Sequence, residues 1–154
     1  MISKVFLESK KVFVFFLFLY VSMILGFYIN ENLNYGAIGD WLYTDKPVIE
    51  ALSQDVKNTL LNYESFGHRH SPLYLILLSY LKKIGFSLDL IRFFHLNLSI
   101  LLIYFFYKCL VFKFNKIEKK ILLLLSLSLF LSPTFRSLSI WPSTRMIGLI
   151  FFVM

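Results

Sequence analysis

The stretch from Val12 to Ile29 carries no charged residue, and this constrains the chain more than any other feature. A bilayer-spanning helix needs about 20 apolar residues, with a range of about 17–25. A cleavable leader has a shorter apolar region of about 7–15 residues and ends at a small-residue site. Here Phe27-Tyr28-Ile29-Asn30 follows instead. The expectation is an uncleaved first span over 12–29, with Lys4, Lys10 and Lys11 holding the N-terminus in the cytoplasm. Composition agrees: hydrophobic residues make up 58% and charged residues 16%, against about 45–50% and about 25% in soluble domains. A soluble fold of this size could not cover its surface with so few polar groups. The sequence therefore predicts an all-α integral membrane protein. The net charge of +7 reads as lysine and arginine collected in cytoplasmic loops rather than as a nucleic-acid footprint, because no basic run sits on a soluble module.

Segment 30–92 is of a different kind. It holds seven of the nine carboxylates and is too polar to cross, which makes it a long extracytoplasmic loop. Within it Val48, Leu52, Val56 and Leu60 recur every four residues with Ile49 beside them. That spacing predicts an amphipathic helix near 48–61, lying on the membrane surface. A second helix is expected near 72–84, started by Ser71-Pro72, ended by Gly85, and too short to cross. Ser87 can cap the next helix, whose apolar part, 93–112, is the second span. The basic segment 113–120 is then a cytoplasmic loop. A third span follows over 121–141, bent at Pro133, with Trp141 as an interface anchor. Residues 146–154 cover about 13–14 Å of helix and read as the start of a further span. The expected architecture is a polytopic bundle of three spans plus an incomplete fourth. The chain is expected to be the N-terminal part of a larger transmembrane domain, inactive by itself. The lone Cys109 excludes an internal disulfide and a cysteine-based zinc site.

Phosphate-loop, dinucleotide, nucleophile-elbow and zincin signatures are absent. Topology instead brings Asp40, Asp45, His68, Arg69, His70, Arg92, Arg136 and Arg145 to one interface. Asp40 lies in Tyr35-Gly36-Ala37-Ile38-Gly39-Asp40-Trp41, which reads as a flexible turn after the first span. Its carboxylate can act as a general base or can be a solvated loop or cap residue. Asp45, before Lys46-Pro47, reads as a helix-start residue and is the second choice for catalysis. His68-Arg69-His70 can bind a phosphate or, less naturally, a metal, since no carboxylate stands at ligand spacing. Arg136 and Arg145 are expected to anchor the interface or bind an anionic headgroup or phosphate.

The layout resembles the N-terminal part of a GT-C membrane glycosyltransferase of the protein O-mannosyltransferase and lipid-A aminoarabinose-transferase type. An acidic residue follows the first span, here Asp40. Next comes a Pro-Leu-Tyr segment with an apolar helix ending in glycine, here His70-Ser71-Pro72-Leu73-Tyr74 through Ile84-Gly85. A helix with an early arginine follows, here Arg92, and then a basic turn and a span ending in a Ser-Pro bend, here Leu131-Ser132-Pro133. The stretch from Ser132 to Pro142 is also similar to a bacterial surface-polysaccharide branch of such proteins. The resemblance implies transfer of a sugar from a polyprenyl-phosphate-linked donor to a glycan, lipid or protein at the outer face of a bacterial inner membrane. It implies direct displacement at the anomeric carbon. Asp40 would take the acceptor proton, and Arg69, Arg136 or Arg145 would meet the departing phosphate, with His68 and His70 assisting. Some members use a divalent metal and others none. The alternative is a non-catalytic membrane protein, such as a lipid-linked-sugar transporter piece or an assembly subunit.

Overall fold

The structure is a computed structural model that describes residues 2–33, 35–68 and 70–154, with side chains from Lys10 onward except that of Tyr35. Helices α1 (Ile2–Tyr28), α2 (Tyr35–Asp40), α3 (Lys46–Gln54), α4 (Val56–Leu61), α5 (Leu73–Lys83), α6 (Leu88–Lys113), α7 (Lys119–Leu127), α8 (Pro133–Ile140) and α9 (Thr144–Val153) account for most of it. No strand occurs among the described residues. Two helices are long and apolar enough to cross a membrane: Lys10–Tyr28 of α1 and all of α6. A third crossing exists if Lys119–Leu131 and Pro133–Ile140, which meet at a bend of 68°, count as one broken span. Helix α9 is apolar but has only ten residues, about 15 Å. The structure thus gives the all-helical architecture and two such helices, not a four-span count.

Local chemistry explains the boundaries. Helices α1 and α5 end in the same hydrogen-bonded motif, with a left-handed residue just past the last turn. In α5 that residue is Gly85 (φ 101), with Phe86 N–H donating to Leu81 O and Gly85 N–H to Lys82 O. In α1 it is Asn30 (φ 54), with Glu31 N–H donating to Gly26 O and Asn30 N–H to Phe27 O. Asparagine tolerates this region better than other side chains do, and here it folds Glu31 back over the helix that precedes it. Helix α6 starts where Ser87 Oγ accepts from Leu90 N–H at 3.1 Å. Pro133 cannot continue a helix, and Ser132 caps a new one by accepting from Phe135 N–H.

Four expectations are corrected. The helix expected over 48–61 is two helices, because Asp55 adopts an extended conformation and caps α4 through Asn58 N–H; aspartate serves a cap better than a helix interior. Its stripe of Val48, Ile49 and Leu52 is buried within the protein against α5 rather than left as a free apolar face. The segment containing Asp40 is helical, not a flexible turn. Trp141 is buried rather than anchored at an interface: it lies over the Arg92 guanidinium at 3.9 Å, and its indole N–H donates to Glu31 O at 3.0 Å.

Helices α6 and α9 run in the same direction. Trp141, three residues before α9, lies over Arg92 near the start of α6. At the far end, Cys109 Sγ lies 2.9 Å from Val153 O. The start of α9, with Arg145, therefore lies toward the end of the bundle away from the basic loop at 113–120.

Candidate functional site

Two polar clusters lie toward that end. They differ in how much of them is open.

The first is closed. It joins α1, α6 and α8. The guanidinium of Arg136 grips Glu31 with two hydrogen bonds, Nε–H to Oε1 at 2.6 Å and Nη2–H to Oε2 at 2.5 Å. Its remaining reach goes to Ser22, with Nη1–H on Oγ and Nη2–H on the carbonyl, both at 3.2 Å. These side chains are only 12% and 14% exposed. Beside them Arg92 donates to Asn30 Oδ1 at 3.0 Å and to Asp89 at 3.1 Å, and is sandwiched between Phe27 and Trp141. A Cβ on Gly26 would collide with Glu31 Oε2 and come within 3.0 Å of Arg136 Nη2, so the pair needs glycine there. The sequence pointed to Arg136 as an interface anchor or a ligand of an anionic headgroup or phosphate; the structure places it here, with all three guanidinium nitrogens engaged. The sequence assigned no role to Glu31, whose partner stands 105 residues away.

The second cluster is open. A cavity of about 220 Å³ is lined by Asp40, Thr44, Asp45, His68, His70 and Arg145, among others. Asp40 and Arg145 pair at 2.9 Å across its mouth, with side chains 37% and 50% exposed. Deeper in, His68 Nε2 lies 2.5 Å from Asp45 Oδ1, both side chains nearly fully buried. The other ring nitrogen, Nδ1, is 2.7 Å from Tyr63 Oη, and the Tyr63 hydroxyl donates to His70 O at 2.9 Å. Gly67, in the left-handed region (φ 64), turns the chain so that His68 points inward. Arg69 lies outside the described residues.

An irregular turn of helix aligns the two aspartates. At 100° per residue, positions five apart on a regular α-helix face about 140° away from each other. Trp41–Asp45 instead forms a wider turn, with Lys46 N–H donating to Trp41 O five residues back. This π-type winding brings Asp40 and Asp45 to one side, while Trp41 is buried in the core. Asp45 starts α3 but makes no capping hydrogen bond; its carboxylate goes to His68. Burial pushes the Asp45 carboxyl up to about 6, with Asp40 adding to the rise, while the His68 hydrogen bond and charge and the charge of Arg145 oppose it. Burial also raises the Tyr63 hydroxyl to about 12, helped by the charge of Asp45.

Among the described residues no three His, Cys, Asp or Glu side chains converge on a point where a metal could sit. Both nitrogens of His68 are already committed, so the donor set does not fit a divalent metal. The cavity does offer one open carboxylate, one open guanidinium, a second carboxylate that holds a proton more readily than usual, and a histidine bonded to it. No protein-family model matches the chain, and neither does any curated protein or solved structure.

Proposed function

We propose that this chain forms the catalytic entrance of a membrane glycosyltransferase that moves a sugar from a polyprenyl-phosphate-linked donor to an acceptor hydroxyl on the extracytoplasmic side. The observation that carries the reading is the joint lining of one cavity by Asp40 and Arg145, toward the end of the bundle opposite the basic loop. α1 and α6 are long and apolar enough to lie in a bilayer. With Lys113–Lys120 on the cytoplasmic side, that cavity opens toward the outer leaflet, where a lipid-linked sugar presents its phosphate. The resemblance to GT-C enzymes supports the same reading.

In this mechanism the acceptor O–H gives its proton to the Asp40 carboxylate as its oxygen attacks the anomeric carbon. The bond from that carbon to the phosphate oxygen breaks, and its electron pair leaves with the phosphate. Arg145, half exposed, turns from Asp40 to the leaving phosphate, which frees the carboxylate and neutralises developing charge. Asp40 is the better base of the two aspartates because an incoming hydroxyl can reach it, whereas Asp45 is buried against His68. Removing a general base costs about 10²–10⁴-fold in rate. In membranes carrying the intact protein, Asp40→Asn should therefore abolish transfer from polyprenyl-phosphate sugars while insertion is retained. Wild-type rates in Asp40→Asn would refute the assignment.

A further inference from the structure

We propose that His68 is a positioning residue, which with Tyr63 and Asp45 forms a proton-holding unit behind Asp40, and not a ligand of the donor phosphate. This rests on the transferase reading for its consequence, but not for its geometry.

Tyr63 Oη has a single proton and two acceptors within reach, His68 Nδ1 at 2.7 Å and His70 O at 2.9 Å. When the ring is neutral, with its proton on Nε2 toward Asp45, the phenol donates to Nδ1. When the ring gains a second proton, Nδ1–H donates to Oη and the phenol proton turns to the His70 carbonyl. The His70 N–H, which donates to Nδ1 at 3.3 Å in the first state, gives up that long bond in the second, where the Nδ1–H to Oη bond at 2.7 Å takes its place; both states keep both ring nitrogens hydrogen-bonded. Such a site stores a proton at little reorganisation cost. It leaves no ring nitrogen for a phosphate or a metal, and the His68 side chain is 2% exposed.

The unit then carries one of two net charges. With the extra proton, His68 and Asp45 cancel; without it, the buried carboxylate adds a negative charge beside Asp40. Among the described residues, the charged and titratable groups facing Asp45 are Asp40 from α2, His68 and Tyr63 from the segment after α4, Tyr74 from α5 and Arg145 from α9; His70 shares the cavity. Of these, Arg145 is the cation that must meet the phosphate, so an added negative charge at Asp45 competes for it. Turnover should fall as the unit loses its proton.

The test uses the intact protein with a polyprenyl-phosphate sugar as probe. Tyr63→Phe removes the acceptor for Nδ1–H, and should move the alkaline limb of the kcat/KM profile to lower pH by about one unit. His68→Gln cannot hold the proton; it should lower kcat by about tenfold or more and erase that limb, with the KM for the donor nearly unchanged. A raised KM with unchanged kcat in His68→Gln would make His68 a phosphate ligand and overturn the proposal, as would a Tyr63→Phe profile that superimposes on wild type. An arm independent of turnover is the His68 ring titration followed by NMR in detergent. It should move to lower pH in both Asp45→Asn and Tyr63→Phe; no movement in either sinks the unit. If the titration moves as stated but the wild-type protein transfers no lipid-linked sugar, the unit stands and the transferase reading falls.

Discussion

Arg136 with Glu31 and Arg145 with Asp40 are the same two functional groups in opposite settings. The first pair is bidentate, shielded and backed by Ser22 and the Trp141 indole. The second is a single contact at the mouth of a cavity, with half the arginine in the open. A shielded pair with four of its five guanidinium N–H groups engaged offers a ligand little to bind, but removing one partner leaves a charge without compensation. An open pair contributes little to stability, and for that reason can exchange its partner for a substrate. Ion pairing alone therefore does not mark a site; the spare valence of the pair does.

The sharpest way to break this comparison is to delete each arginine in turn. Arg136→Ala should cost about 3–5 kcal/mol, the usual penalty for stripping a buried pair, and should show as a large loss of thermal stability in detergent. Arg145→Ala should cost less than about 1 kcal/mol. Equal losses would mean that the two clusters play the same role. A smaller effect sharpens the closed side. Gly26→Ala puts a methyl group where Glu31 Oε2 sits, and displacing a held side chain costs roughly 1–3 kcal/mol. Ser22→Ala should cost less, because it removes only the long 3.2 Å bond to Oγ and keeps the one to the backbone carbonyl. A further effect belongs to the open cluster and depends on pH. The Asp45 carboxyl is raised in the folded protein from 3.8 to about 6, so the folded state binds the proton more tightly than the unfolded chain. Its contribution to stability is then fully present below the unfolded value and is lost as pH rises through about 6. Melting temperature should fall between acidic and neutral pH, and Asp45→Asn should flatten that slope. A wild-type slope unchanged by Asp45→Asn would show that the carboxyl is not raised.

The helical scaffold was legible in the residues because its causes are local. The uncharged run after Lys11 and the one after Arg92 mark α1 and α6. Ser87, Gly85 and Pro133 punctuate the chain where caps, left-handed turns and breaks need them. The polar residues that line the cavity could also be named from topology, since Asp40, Asp45, His68, His70 and Arg145 share one side of the expected bundle. Their partners could not. Whether Arg136 meets a phosphate or Glu31 depends on how the end of α1 is folded back by Asn30. A lone asparagine after an apolar run gives weak notice of that turn. Tyr63 went unnoticed because tyrosines are plentiful here and nothing local ties one of them to His68. The alignment of Asp40 with Asp45 comes from a π-type turn, for which their five-residue spacing is the only trace. Trp141 was expected at an interface because tryptophans favour such positions; Arg92 stacking on its ring outweighed that preference.

The account turns on the open cluster carrying the chemistry and the closed one carrying the fold, and one paired measurement addresses both. Sugar transfer from a polyprenyl-phosphate donor should be measured per folded molecule in Asp40→Asn and Glu31→Gln, each in the intact protein. The account predicts that Asp40→Asn leaves the folded amount unchanged and lowers the rate by about 100-fold or more. It predicts that Glu31→Gln lowers the folded amount while each molecule that folds works at nearly the wild-type rate. Full activity in Asp40→Asn, or a fully folded Glu31→Gln that transfers nothing, would contradict it.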